Sequence, residues 1–118
     1  MREVELKKGE TTLIPHGLIA DSFLTRFMGL MGKPEVKQDH ALIFPGCNSI
    51  HTFFMRIPID VVFIAKTGEV VEILEALKAW RVLLPRRGVK HTIELGAKRA
   101  RALGITKGDK LSCKGVWS

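Results

Sequence analysis

The chain has 118 residues and a mass of 13.2 kDa, with 46% hydrophobic residues, 26% charged residues and a net charge of +7. The length fits a single domain, residues 1–118, and the composition is that of a globular protein, which excludes a disordered chain. No apolar run approaches the roughly 18 residues of a membrane-spanning helix, and the start has no apolar leader, so we expect a cytoplasmic protein with no membrane partner.

The predicted elements begin with short strands and one helix. Val4 and Leu6 alternate with charged residues, which indicates a half-buried strand, and residues 11–15 offer a second strand. Residues 21–29 are typical of a short helix, with Asp or Ser at its start and Gly29 at its end.

From residue 41 onward the sequence predicts mainly strands. Gly68 closes a three-residue loop that is typical of a hairpin with a glycine bulge. The predicted strands are residues 41–44, 49–55, 59–65, 69–73, 91–95 and 110–113, with a short basic helix at residues 97–103. This pattern favours a mainly β fold, a single-domain sandwich or barrel-like sheet with two short helices.

Polar residues lie within the most apolar stretch of the chain. Residues 49–65 are apolar on both strand faces, which predicts central strands covered on both sides. Asp60 needs a partner there, because an unpaired buried carboxylate is costly. Arg26 and Arg56 are candidates, since a guanidinium can hold a carboxylate with two hydrogen bonds. The Asp60 carboxylate would be stabilised equally well if it faced solvent at the start of the strand, or if it accepted hydrogen bonds from backbone amides in the turn at residues 56–58.

The spacing of the other polar residues argues against a catalytic dyad. Cys47 and His51 lie about 13 Å apart on a straight strand, so they do not touch unless the chain folds back. If residues 49–55 and 59–65 pair as a simple hairpin, His51 and Asp60 point to opposite faces. We prefer Asp60 paired with Arg26, or linked to Glu94 through an arginine. Glu94 alternates with apolar neighbours, which predicts that it is buried too.

Charge is unevenly distributed along the chain. Residues 1–77 hold 8 Lys/Arg and 10 Asp/Glu, whereas residues 78–118 hold 11 Lys/Arg and 2 Asp/Glu. This asymmetry suggests that the protein binds nucleic acid or an acidic partner. The simpler interpretation is a basic face exposed to solvent. The two cysteines have no zinc-type spacing, so we expect no metal and no cofactor. The single Asn and single Gln are typical of a thermophile.

Four ordered blocks of residues cover nearly the whole chain and together resemble a known family. They are residues 26–32, residues 50–63, residues 68–71, and residues 93–97 with 104–109. In this order they resemble the widespread prokaryotic family called domain of unknown function 192, or uncharacterised protein family 0127. The resemblance implies a compact, mainly β domain and no established activity. Where that family typically has Trp-Met followed by Lys-Asn-Thr, this chain has Phe54-Met55 followed by Arg56-Ile57.

Three functions follow from these residues, in order of preference. The first is a small-ligand-binding β domain, whose apolar wall and few polar groups suit an organic ligand with an anionic group. The second is a hydrolase-like enzyme that uses Cys47 or His51 with Asp60. The third is a nucleic-acid or acidic-partner binder that uses the basic C-terminal third. The candidate ligand-binding residues are Arg26, His51, Met55, Arg56, Asp60 and Glu94.

Overall fold

The computed structural model describes residues 2–19, 40–47, 50–51, 58–78, 82–83 and 85–117. Strands dominate these residues, and one short helix, α1, spans Arg99–Ala102. The strands are β1 (Arg2–Lys8), β2 (Thr11–Ile19), β3 (His40–Phe44), β4 (Ile50–His51), β5 (Ile59–Ile64), β6 (Val70–Leu77), β7 (Val82–Leu83) and β8 (His91–Gly96). The predicted mainly β class is therefore confirmed.

Six of these strands form one mixed sheet, in the order β1-β2-β3-β8-β5-β6. The pair β2–β3 is parallel and the other pairs are antiparallel. β5 and β8 lie in the interior of the sheet, where all six residues of each strand are buried. The apolar residues on both faces of β5 have the burial that their sequence pattern predicts.

The C-terminal segment links the two edge strands of this sheet. Lys7 of β1 exchanges two backbone hydrogen bonds with Ser112, at 2.9 and 2.8 Å. Two residues earlier, Lys110 forms a bridge with Glu69, next to the start of β6. The sheet thus closes on itself at one end, as the barrel-like alternative predicts. Residues 110–113 make this closure through isolated bridges, whereas the sequence pattern predicted a continuous strand.

Buried apolar side chains form two clusters, one on each face of the sheet. The helix-side face carries Ile43, Val62 and Ile93, and these pack with Ala100 of α1 and with the C-terminal segment. The opposite face carries Leu42, Phe44, Ile59, Val61 and Phe63. We call it the Glu94 face, because Glu94 lies directly between Leu42 and Val61 in the strand register.

Gly68 lies where the hairpin between β5 and β6 meets the C-terminal segment. Its φ is +94°, and a Cβ there would lie 2.5 Å from the Leu111 carbonyl oxygen. We expect Gly68→Ala to lower the free energy of unfolding by about 3 kcal/mol, from backbone strain together with displacement of this carbonyl.

Gly88→Ala is the matched control for this substitution in a urea denaturation series. Gly88 has a similar φ of +80°, but nothing lies within 4 Å of its added Cβ. Its loss should be about 1 kcal/mol, from conformation alone. Equal losses in the two variants would show that the Leu111 carbonyl does not approach Gly68 as closely as described.

The structure corrects several predicted boundaries. The simple hairpin considered for residues 49–55 and 59–65 is not present in the described strands, because β4 pairs with β7 and β5 pairs with β6 and β8. The helix predicted at residues 97–103 is shorter, and the strand predicted at residues 69–73 runs on to Leu77. The helix predicted at residues 21–29 lies outside the described residues.

Candidate functional site

The structure describes two of the six predicted site residues completely. Asp60 lies on β5 and Glu94 on β8, and both side chains are buried. His51 is placed on β4 by its backbone, and its side chain is not described. Arg26, Met55 and Arg56 lie outside the described residues. Their part in a site therefore remains a prediction.

The Asp60 carboxylate is a hub for backbone amides. Its Oδ1 accepts hydrogen bonds from the N–H groups of Ala76 at 2.8 Å and Lys98 at 2.9 Å. Its Oδ2 accepts one from the N–H of Ala100 at 2.9 Å. The side chain is 0% exposed. Asp60 thereby fastens the end of β6 and the start of α1 to the centre of the sheet.

Local backbone geometry directs these amides at Asp60. The pairing of β5 with β6 is irregular between Ile59 and Val61, which leaves Asp60 opposite a break in the ladder. Ala76 and Lys98 both have positive φ, 49° and 68°. Such values are uncommon outside glycine and cost free energy, which three charge-assisted hydrogen bonds to one buried carboxylate help to offset.

Asp60 has partners, and those that the structure describes are the backbone amides of residues 76, 98 and 100. The predicted partners Arg26 and Arg56, and most of the turn at residues 56–58, lie outside the described residues, so those pairings stay predictions. A solvent-facing Asp60 is excluded, because the side chain has no exposed surface. Both carboxylate oxygens are occupied, which suits a structural role for this residue.

Glu94 has a different environment on the other face of the sheet. It is 4% exposed, and its register neighbours are Leu42 on β3 and Val61 on β5. Among the described residues, none donates a hydrogen bond to its carboxyl or forms an ion pair with it. Burial raises the pKa of Glu94 to about 8, because the charged form is poorly solvated there. At neutral pH it is mainly a neutral acid.

Asp60 and Glu94 do not share a site. Asp60 is paired with Leu95 and Glu94 with Val61, so the two carboxyl groups occupy adjacent register positions. Successive side chains of a strand point to opposite faces. The predicted link between these two residues through an arginine is therefore wrong.

The loop before β4 is tied to the start of β8. The hydroxyl of Thr92 donates a hydrogen bond of 2.7 Å to the Cys47 carbonyl, and the Gly46 N–H donates one of 3.0 Å to Nδ1 of His91. Cys47 is half-buried and packs against the apolar cluster of the Glu94 face. This part of the chain therefore borders the Glu94 face.

His91 is a buried titratable residue that the sequence reasoning did not single out. Its ring stacks on Trp117 with centroids 4.6 Å apart. Burial, followed by the nearby Lys90 charge, lowers the pKa of His91, so the ring is neutral and Nδ1 can accept the Gly46 hydrogen bond. The available signal was its position at the first residue of a predicted strand, next to the alternating apolar residues Ile93 and Leu95.

Two described arginines of the basic C-terminal third, Arg86 and Arg101, have acidic partners. Arg86 Nε lies 3.0 Å from Glu72 Oε1, and Arg86 Cζ lies 5.2 Å from the centre of the Phe63 ring. Arg101 Nη2 lies 3.1 Å from Glu75 Oε2.

No group of three His, Cys, Asp or Glu side chains that could hold a metal ion occurs within the described ranges. No helix in this part of the chain is both long and apolar enough to cross a membrane.

Known proteins resemble this chain over most of its length. The profile of the DUF192 family, described as Uncharacterized ACR, matches residues 5–113. A UPF0127 protein from Pyrococcus furiosus is 40% identical over 98 residues, which is 78% of this chain and 81% of the relative. Thermophilic archaeal relatives agree with the thermophile-like composition.

Two solved structures share the fold. A protein of unknown function from Novosphingobium aromaticivorans has a TM-score of 0.77 at 22% identity and covers 93% of this chain and 83% of its own. A putative transcription regulator from Sinorhizobium meliloti has a TM-score of 0.79 at 23% identity and covers 97% of this chain and 95% of its own. At these identities the likeness concerns the fold alone.

Proposed function

The chain belongs to the DUF192 family, whose function is unknown, and from the site itself we propose that it is a small-ligand-binding β domain whose pocket lies on the Glu94 face. One observation carries this proposal. A carboxyl group with 4% exposure lies in the middle of an apolar wall, and the described residues give it no polar partner.

Two physical arguments connect this observation to a ligand. Buried polar groups in folded proteins are nearly always hydrogen-bonded, so a buried carboxyl to which no described residue donates a hydrogen bond is a candidate to meet a ligand. In addition, an acid whose pKa is raised from 4.5 to about 8 destabilises the folded state at neutral pH. A residue that costs stability, and that lies among apolar side chains, is a candidate for binding.

The remaining predicted residues complete the proposed pocket. His51 lies on β4, only a few residues after the Cys47 carbonyl that Thr92 holds at the Glu94 face. We include Arg26, His51, Met55 and Arg56 as ligand-binding residues from the sequence. Asp60 supports the pocket from the opposite face by holding β5, β6 and α1 together, and does not itself meet the ligand.

A thermal-shift screen of small organic molecules tests the proposal. We expect at least one compound to raise the melting temperature of the wild-type protein by several degrees, as ligand present at about 100 times its Kd stabilises by about 2.7 kcal/mol. Glu94→Leu should abolish that shift, because leucine removes the polar group and keeps the apolar wall. His51→Ala and Arg56→Ala should reduce it.

Glu69→Gln is the control, since it removes an exposed carboxylate at the hairpin and should leave the ligand-induced shift unchanged. The proposal fails if every shift survives Glu94→Leu, or if Arg56→Ala and His51→Ala both leave every shift intact.

The two other functions have less support. A hydrolase that uses Asp60 would need a carboxylate oxygen to orient His51, and both Asp60 oxygens already accept amide hydrogen bonds.

A nucleic-acid binder would use the basic C-terminal third, where Arg86 and Arg101 are paired with glutamates. Polarisation titration with DNA and RNA at low salt would detect such binding, since counterion release favours it there. For the ligand-binding domain itself, we also propose a cytoplasmic location.

A further inference from the structure

A groove follows the outer edge of β1, beside the point where the C-terminal segment closes the sheet. We infer that this edge binds an extended peptide segment in which basic and apolar residues alternate, and that the segment joins the sheet as an additional antiparallel strand. β2 and β3 separate this edge from β8 and Glu94. The inference therefore goes beyond the proposed function and does not depend on it.

The first argument is the shape of the groove. Its volume is about 760 Å³, within the usual range of ligand-binding clefts. Glu3, Val4 and Glu5, which are consecutive residues of β1, all line it. Side chains of consecutive strand residues point to opposite faces, so the groove follows the edge of β1 and not one of its faces. The C-terminal segment also lines the groove, with Lys114 and Trp117 among its residues.

The second argument is the direction of the β1 backbone groups. Lys7 already exchanges two hydrogen bonds with Ser112 across this outer edge, in an antiparallel bridge. The irregularities in the pairing of β1 with β2 place the extra residues in β2, so β1 itself stays regular. Glu5 and Glu3, two and four residues before Lys7, therefore direct their N–H and C=O groups to the same edge. A strand edge of this kind is a template for a further strand.

The third argument is the charge at the open positions of this edge. Lys7 is already bridged to the C-terminal segment, so the open positions are those of Glu3 and Glu5, and both side chains are exposed. Glu5 contacts the Thr12 hydroxyl at 3.2 Å, and Glu3 contacts Nδ1 of His16 at 2.7 Å. Neither contact is with a lysine or an arginine, so both carboxylates can pair with basic side chains of an added strand.

The pleat of the sheet then sets the residue pattern of the partner. Residues directly opposite Glu3 and Glu5 share their face, and opposite charges at such positions stabilise strand pairing, so these residues should be basic. The residues between them point to the other face, where Val4 packs against the buried core and Trp117 lines the groove, so they should be apolar. A segment in which basic and apolar residues alternate meets both conditions.

Fluorescence polarisation of labelled, capped hexapeptides with the full chain at low salt tests this inference. We expect the peptide of alternating lysine and valine to bind with a Kd below about 1 mM, and the peptide of alternating glutamate and valine to bind about tenfold more weakly or worse. Glu5→Lys should weaken binding of the lysine–valine peptide about tenfold, because it places like charges opposite each other. Glu69→Lys makes the same charge change at an exposed position on the hairpin after β5, and should change the Kd by less than about twofold.

N-methylated peptides test the backbone pairing without any change in the protein. In the antiparallel pairing, the lysines opposite Glu3 and Glu5 direct their N–H groups at β1, whereas the valines direct theirs away from it. N-methylation of the lysines should therefore abolish binding. N-methylation of the valines should change the Kd by less than about threefold.

The inference fails if the lysine–valine peptide does not bind at about 1 mM, if the glutamate–valine peptide binds as tightly, or if the two N-methylated peptides bind equally. It also fails if Glu5→Lys has no larger effect than Glu69→Lys. A dimer of the wild-type chain that dissociates in the Glu5→Lys variant would show that a second copy occupies this edge instead. None of these results affects the proposed pocket, which the thermal-shift screen tests through its dependence on Glu94.

Discussion

Asp60→Ala is expected to lower the free energy of unfolding by about 5 kcal/mol, because three backbone N–H groups, one of them buried and two part-buried, would lose their acceptor together. Each unsatisfied buried donor costs roughly 1–3 kcal/mol, and a domain of this size has a total stability of about 5–15 kcal/mol. The Ala76, Lys98 and Ala100 amides all depend on this one side chain. Urea denaturation measures the loss.

Asp60→Asn provides a milder form of the same test, in case the alanine variant does not fold. Its amide oxygen can still accept the two hydrogen bonds at the Oδ1 position, but its NH₂ group would face the Ala100 N–H, donor against donor. We expect a loss of about 2 kcal/mol and faster hydrogen exchange at the Ala100 amide, at the start of α1.

Asp109→Asn is the control for this series. Asp109 also accepts a backbone hydrogen bond, from Thr106 N–H at 2.8 Å, and it pairs with Lys8 at 2.9 Å. It lies at the surface turn, so we expect a loss of about 1 kcal/mol, as for a capping residue. If Asp60→Ala cost no more than Asp109→Asn, Asp60 would not be the buried hub that its three amide contacts indicate.

The need of Asp60 for partners was predictable from the sequence, whereas their identity was not. An aspartate between Ile59 and Val61 must be compensated, and this follows from solvation alone. The partners lie 16, 38 and 40 residues further along the chain. They are backbone groups whose direction depends on positive φ at Ala76 and Lys98, residue types that carry no signal for that conformation.

Strand positions were likewise more predictable than strand pairing. Apolar patterning located the interior strands β5 and β8, and Gly68 located the hairpin after β5, because these features are local. Pairing is a tertiary property, so the sequence pattern did not reveal that β4 joins β7 or that β2 and β3 run parallel. The described strands β4 and β5 do not form the simple hairpin that was one geometric alternative for residues 49–65, since strands adjacent in the chain need not be adjacent in the sheet.

Glu94→Gln is expected to stabilise the folded protein increasingly as the pH rises. The pKa of Glu94 is raised from 4.5 to about 8 in the folded state. Below pH 4.5 the carboxyl is neutral in both states, so it has no effect on stability. Between pH 4.5 and 8 the unfolded chain releases the proton and the folded chain keeps it, so wild-type stability falls as pH rises. Above pH 8 the difference is constant.

The magnitude follows from about 1.4 kcal/mol per pKa unit. Relative to wild type, the glutamine variant should gain about 1 kcal/mol at pH 5, about 3 kcal/mol at pH 7 and about 5 kcal/mol at pH 9. Urea denaturation of both proteins at the three pH values measures these differences. His91, whose lowered pKa weakens the fold below pH 6.5, is present in both proteins and cancels in the comparison.

Glu69→Gln, at an exposed position, should change stability by less than about 0.5 kcal/mol at every pH. A gain for Glu94→Gln that stays the same from pH 5 to pH 9 would mean that Glu94 ionises at its ordinary pKa. The carboxyl would then be solvated or paired with a cation in the folded protein. A gain that grows with pH would instead show that the chain retains a residue that weakens its own fold, as expected of a group kept for binding.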